Sequence, residues 1–143
     1  MKNLRLLSAL CVLFPALAWS NPVHSVWSNS PMFVADPVGG FRTATKANCA
    51  FSWTEGTGYA FANATATSST GDLFEFQFLS PTASTNSGAI IGNWNVTKNG
   101  VLVCGNCSGS AYGLNGGVGS GFKIYVSGES YHLSGYVTSV YNY

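Results

Sequence analysis

Residues 59–79 read YAFANATATSSTGDLFEFQFL and carry the clearest strand pattern in the chain. Every second residue from Ala60 to Ala66 is alanine, and every second residue from Phe74 to Phe78 is phenylalanine. Alternation with period two marks strands, whose successive side chains point to opposite faces. The polar link Ser68, Ser69, Thr70, Gly71, Asp72 supplies the chemistry of a hairpin loop. Placing Thr67 opposite Leu73 sets Ala66 against Phe74, Ala64 against Phe76 and Ala62 against Phe78, so a small residue faces a ring at each pair. The other face carries Glu75 opposite Thr65 and Gln77 opposite Asn63 and is the wetter one. A slip of one residue would turn the rings to water, so the register is strongly specified.

The pattern continues on both sides. Upstream, Cys49, Phe51 and Trp53 share one face and Ala50, Ser52 and Thr54 the other. Downstream, residues 89–104 form a second hairpin, with Ile90, Gly92, Trp94 and Val96 on one face and Ile91, Asn93, Asn95 and Thr97 on the other. Asn99 and Gly100 suit a type I′ turn, which needs positive φ at both central positions. Counted from that turn, Val96 faces Val103 and Trp94 faces Gly105, a bare backbone for the indole to cover. Residues 105–121 hold seven glycines and read as a mobile surface loop carrying Tyr112 and Leu114. Gly117, Gly119 and Gly121 imitate a phosphate loop only superficially, because no helix follows them. Residues 122–127 and 130–140 make a third hairpin. With no amphipathic helix, about seven strands in sequential hairpins indicate an all-β domain, a single antiparallel β-sandwich with a small β-barrel as the alternative.

Residues 21–48 contain Pro22, Pro31, Pro37, Gly39 and Gly40 and show no clean period. They read as an extended N-terminal arm ahead of a sandwich domain at 49–143. An arm of this kind packs on its own domain or completes the sheet of a neighbour. Residues 1–20 have the secretory signal pattern: Lys2 and Arg5, then an apolar run over 6–18, then Ala18 and Ser20 at the small-residue positions before Asn21. The apolar run falls short of the ~20 residues a membrane span needs. Cys11 belongs to the discarded peptide, and no membrane span remains after its removal.

Charged residues make up 8% of the chain, against a typical ~25%. From Asn21 onward Arg42, Lys46, Lys98 and Lys123 stand against Asp36, Glu55, Asp72, Glu75 and Glu129. No basic patch forms, which excludes nucleic acid as a partner. A hydrophobic content of 46% with 14% aromatics excludes disorder. The surface is left to Ser, Thr, Asn, Gly and Tyr, as suits a secreted, extracellular or cell-surface protein, with periplasmic transit in a bacterium.

Cys49, Cys104 and Cys107 are the cysteines beyond the signal, enough for one disulfide and one odd thiol. Cys49 with either of the others closes a long loop, whereas Cys104 and Cys107 close on themselves through a tight turn. The lone CxxC lacks the βαβ setting of a redox pair and the second pair of a zinc site, so neither metal nor cofactor is expected. Asn63, Asn95 and Asn106 head glycosylation patterns that arise by chance in a chain this rich in Ser and Thr. His24 lies in the arm, and His132 shares a strand face with Ser134 and Tyr136. The chain has no GxSxG elbow, HExxH helix or acidic calcium loop, and no catalytic residue is assigned.

These features suggest first a non-catalytic β-protein acting by assembly or adhesion, a fibre, coat or adhesive subunit that self-associates or engages an extracellular partner. The second reading is a small carbohydrate- or protein-binding module with Tyr112 and Tyr136 as its ligand-binding rings. The third is a small secreted hydrolase built on His132. An outer-membrane barrel is disfavoured by strands shorter than the ~9–11 residues that spanning requires. The processing expectation is direct: mass spectrometry of exported protein should give an N-terminus at Asn21, and material retaining the 6–18 run would contradict it.

Overall fold

The computed structural model describes residues 22–29, 32–80 and 88–142. Residues 1–20, read as a secretory signal, and 81–87, read as a polar loop, lie outside the described residues. The strands are, in chain order, β1 (Val23–Ser28), β2 (Met32–Asp36), β3 (Gly40–Thr54), β4 (Ala60–Ser68), β5 (Leu73–Phe78), β6 (Ile90–Lys98), β7 (Val101–Tyr112), β8 (Gly121–Val126), β9 (Tyr131–Tyr136) and β10 (Ser139–Asn142).

The β4–β5 hairpin has the register expected from its Ala/Phe alternation, with Thr67 opposite Leu73, Ala66 opposite Phe74 and Ala64 opposite Phe76. The sheet does not fold into a sandwich. It closes as an eight-stranded antiparallel barrel, with β3 paired to β4 on one edge and to β1 and β2 on the other. The closing staves come from the segment read as an arm. β1 pairs with β10 and β2 with β9, so residues 23–36 seam the N-terminal hairpin to the C-terminal strands. An open sheet with an arm beside it becomes a closed wall with no arm.

The lack of a clean period in 21–48 has a structural cause. The alternation breaks between β1 and β2, and again at a bulge between Ala44 and Lys46 of β3. Before the bulge Arg42 and Ala44 point inward; after it Ala47, Cys49, Phe51 and Trp53 do. One extra residue flips the phase while both halves of the strand keep the same inner face.

Eight strands enclose an interior that side chains just fill. Ala60, Ala62, Ala64 and Ala66 of β4 line it beside Phe74, Phe76 and Phe78 of β5, and all are buried. Phe51 meets Phe122 edge-on at 5.3 Å, and Phe78 meets Trp94 in the same way at 5.3 Å. The Asn99–Gly100 turn has φ of 53° and 79°, as a type I′ turn requires. The pairing counted from it is corrected higher up. Two irregularities in the β6–β7 ladder place Val96 opposite Cys104 and Trp94 opposite Cys107. The glycine under the indole is therefore Gly109, where a Cβ would come within 2.7 Å of Trp94 Cδ1. The extra residues bulge out between Cys104 and Cys107, which form a disulfide across Asn106 at φ 53°. β7 then continues through Tyr112, so the expected mobile loop shrinks to residues 113–120.

The end of the barrel holding the β2–β3, β4–β5 and β6–β7 turns is closed by four charges. The Asp36 side chain, 2% exposed, accepts hydrogen bonds from Arg42 Nη1 and Lys98 Nζ, both at 2.9 Å, and from the Gly39 N–H. Asp72 completes the group, 3.4 Å from Arg42 and 3.8 Å from Lys98. Both cations also lie over the Phe74 ring, 5.4 and 5.5 Å from its centroid. Burial pushes the Asp36 carboxyl up, but the Lys98 and Arg42 hydrogen bonds outweigh it and hold the pKa below the usual carboxylate value.

Two predictions follow from this packing. Phe76→Ala should destabilise by about 3–5 kcal/mol through the cavity it leaves, and Glu75→Ala on the exposed face by far less; equal losses in urea unfolding would mean that the faces are reversed. Asp36→Asn should cost about 3 kcal/mol or more at neutral pH, because it strips one partner from a buried ion cluster. A depressed carboxyl adds stability above its unfolded pKa of ~3.9, and that contribution is lost as pH falls through the folded value. Wild-type stability should therefore drop below about pH 4 more steeply than that of Asp36→Asn, and parallel acid limbs in the two proteins would count against the role given to this carboxylate.

Candidate functional site

The grooves described lie on the outer wall. The longer one runs along β3. On that strand's outer face Ala50 lies between Trp27 of β1 and Asn63 of β4, and Ser52 lies opposite Phe61. Trp27 and Phe61 are 41% and 46% exposed, so two aromatic side chains stand over a small floor. This part of the groove holds about 380 Å³ and also takes in Asn48 and Thr65. Asn48 and Thr65 are shared with a second hollow of about 350 Å³, which adds Asn29, Thr45, Lys46, Ala47 and Thr67. From Phe61 to Thr67 the groove follows the strands for about 20 Å at ~3.3 Å per residue.

The groove has a cause in the chain. On β1's side, pairing with β3 ends at Ser28 opposite Cys49, and pairing with β2 begins at Met32 opposite Ala44. The β3 bulge falls in the same interval. Bulges of this kind bend a wall and re-aim its side chains. The amides of Asn48 and Asn63 and the hydroxyls of Thr65 and Thr67 make no hydrogen bond to a described residue, and so keep their full donor and acceptor capacity toward the groove.

The residues singled out from sequence lie elsewhere on the wall. Tyr112 is on a strand, not on a flexible loop, because Ser110, Ala111 and Tyr112 continue the β7 ladder with β8. Its outward ring stands opposite Lys123, which stands opposite Ser134, which stands opposite Phe33. Tyr136 lies opposite Gly121, two residues from Lys123 along β8. Tyr112 and Tyr136 therefore flank one strand of the same face. Phe33, Lys123, Ser134 and Tyr136 border a smaller hollow of about 160 Å³.

His132 belongs to the same wall, stacked on Tyr125 at 4.6 Å and tilted against Phe41 at 5.5 Å. Burial first, then the charge of Lys123, holds its pKa below the ordinary value, so the ring is neutral at pH 7. Its Nε2 is buried without a hydrogen-bond partner among the described residues, and no carboxylate orients it as a general base requires. The ring serves as a member of an aromatic stack across strands. Cys49 is a buried thiol, its Sγ 3.7 Å from the Met32 sulfur and its pKa pushed up by burial, so it is neither a reactive group nor an accessible cross-link. His24 stacks on Trp53 at 5.0 Å and pairs with Glu55 at 2.8 Å.

Sequence reading missed Trp27, Phe33, Phe41 and Phe61 as exposed rings. Phe61 was legible: it is the ring out of phase with Ala60, Ala62 and Ala64. Trp27, Phe33 and Phe41 fall in the segment whose period is broken. Comparison with protein-family models, characterised proteins and solved structures finds no match for this chain.

Proposed function

We propose that this protein is a non-catalytic extracellular binding module that holds a saccharide chain along the β3 groove. The observation carrying this reading is the lining: Trp27 and Phe61 stand over Ala50, and uncommitted amides and hydroxyls continue beside them for about 20 Å. Sugars present apolar C–H faces that rings stack against, and hydroxyls that neutral donors and acceptors satisfy. A shallow, open groove suits an extended polymer better than a small molecule, which needs an enclosing pocket.

The wall also bears on the competing readings. Its interior is apolar and its outside carries Asn63, Gln77, Asn93, Glu75 and Lys123, the reverse of a barrel that faces lipid. Adhesion fits a polymer-binding module. Assembly by strand donation loses its donor, because residues 23–36 are staves of their own barrel. Assembly through an odd thiol loses its accessible sulfur. A hydrolase centred on His132 lacks an orienting carboxylate among the described residues.

Retention on immobilised polysaccharides tests the reading, with size-exclusion chromatography alongside. The expected result is a monomer retained by at least one polymer, with Trp27→Ala and Phe61→Ala each weakening retention about tenfold, as ring contacts at a binding centre do. High-mass species that bind no polymer would contradict the proposal and favour self-assembly.

A further inference from the structure

The distribution of charge on the wall goes beyond the class of ligand. From residue 22 onward the chain has four cations, Arg42, Lys46, Lys98 and Lys123. Arg42 and Lys98 are locked to Asp36 and Asp72 at the barrel end. The other two make no ion pair with a described residue. Each lines one of the two grooved faces: Lys46 the β3 groove and Lys123 the hollow beside Tyr136. None of the five carboxylates lines either. Asp36 and Asp72 are held in the end cluster, Glu55 pairs with His24, Glu129 lies in the β8–β9 turn, and Glu75 faces Thr65 from β5, outside the lining.

An unpaired ammonium costs nothing where it is solvated, so either lysine alone is unremarkable. What argues for a ligand is the coincidence: Lys46 lines a hollow of amides and hydroxyls that adjoins the one under Trp27 and Phe61, Lys123 lines one beside Phe33, Ser134 and Tyr136, and no carboxylate lines any of the three. We infer that the bound polymer is acidic, a polysaccharide carrying carboxylate or sulfate groups, with Lys46 and Lys123 each taking one anionic group while neighbouring rings and amides hold the sugar. This inference rests on the saccharide reading above and deepens it.

The test is affinity electrophoresis of the folded, signal-free protein in gels containing a uronate polymer, a sulfated polysaccharide or a neutral glucan. The expected result is stronger retardation in one of the two acidic gels, and which one identifies carboxylate or sulfate. Lys46→Gln and Lys123→Gln should each weaken that retardation about threefold and together about tenfold, as exposed ion pairs do. Lys46→Arg and Lys123→Arg should keep it. Salt at 0.5 M should erase the difference between wild type and the double variant by screening. Circular dichroism confirms that each variant is folded. Equal retardation of wild type and the double variant in every acidic gel would overturn the inference. Retardation by the neutral glucan alone would also overturn it while leaving the saccharide reading intact. Retardation by none of the three would remove both.

Discussion

The complementarity between the Ala row of β4 and the Phe row of β5 is the constraint from which the rest follows. Ala66 and Ala64 lie directly opposite Phe74 and Phe76, so each ring extends over a residue that leaves it room. A wall with small residues on one stave and rings on the next has room for its rings, and a barrel of eight strands is about as wide as side chains can fill. Trp94 on β6 and Phe51 on β3 add to the core from the neighbouring staves, and Phe122 on β8 meets Phe51 from across the barrel. The inward side chains of the described strands are buried, and the hollows described lie on the outer wall.

The ends and the outside show how a chain with few charges deploys them. Four of its nine charges from residue 22 onward form the cluster that covers Phe74 at one end. A salt-bridged plug of this sort adds little net stability over apolar packing, but it is costly to break, and through Asp36 and Asp72 it ties three turns to the same two cations. The wall itself is mostly uncharged, with cross-strand rows such as Asn63, Gln77 and Asn95, and with Glu75 between Thr65 and Thr97. Such a surface is hydrated with few charges, and Lys46 and Lys123 are the two cations that line its hollows.

How much of this was legible in the sequence depended on whether local alternation was intact. The β4–β5 register, the inner face of β6 and the Asn99–Gly100 turn could be read because period two runs there without interruption. Residues 23–48 could not, because a strand break and a bulge scramble the phase, and prolines suggested an arm where there are staves. Barrel closure depends on pairing between β1 and β10 and between β2 and β9, more than a hundred residues apart in sequence at His24 and Asn142, and nothing local encodes it. The Trp94 pairing failed for a related reason: a turn fixes register only as far as the first bulge, and β7 has two irregularities before it reaches Cys107. Tyr112 and Tyr136 were found as outward rings, but the groove beside Trp27 is a product of closure and had no signature of its own.

Binding is assigned to the outer wall, on the faces that carry Lys46 and Lys123. Amide chemical-shift mapping during titration with a short acidic oligosaccharide tests that claim most directly. The account predicts saturable shifts confined to Trp27, Lys46, Asn48, Asn63 and Thr65 on one face and to Lys123, Ser134 and Tyr136 on the other. Shifts gathered instead around Gly88 and Leu114 at the loop end of the barrel, with both wall faces silent, would contradict it.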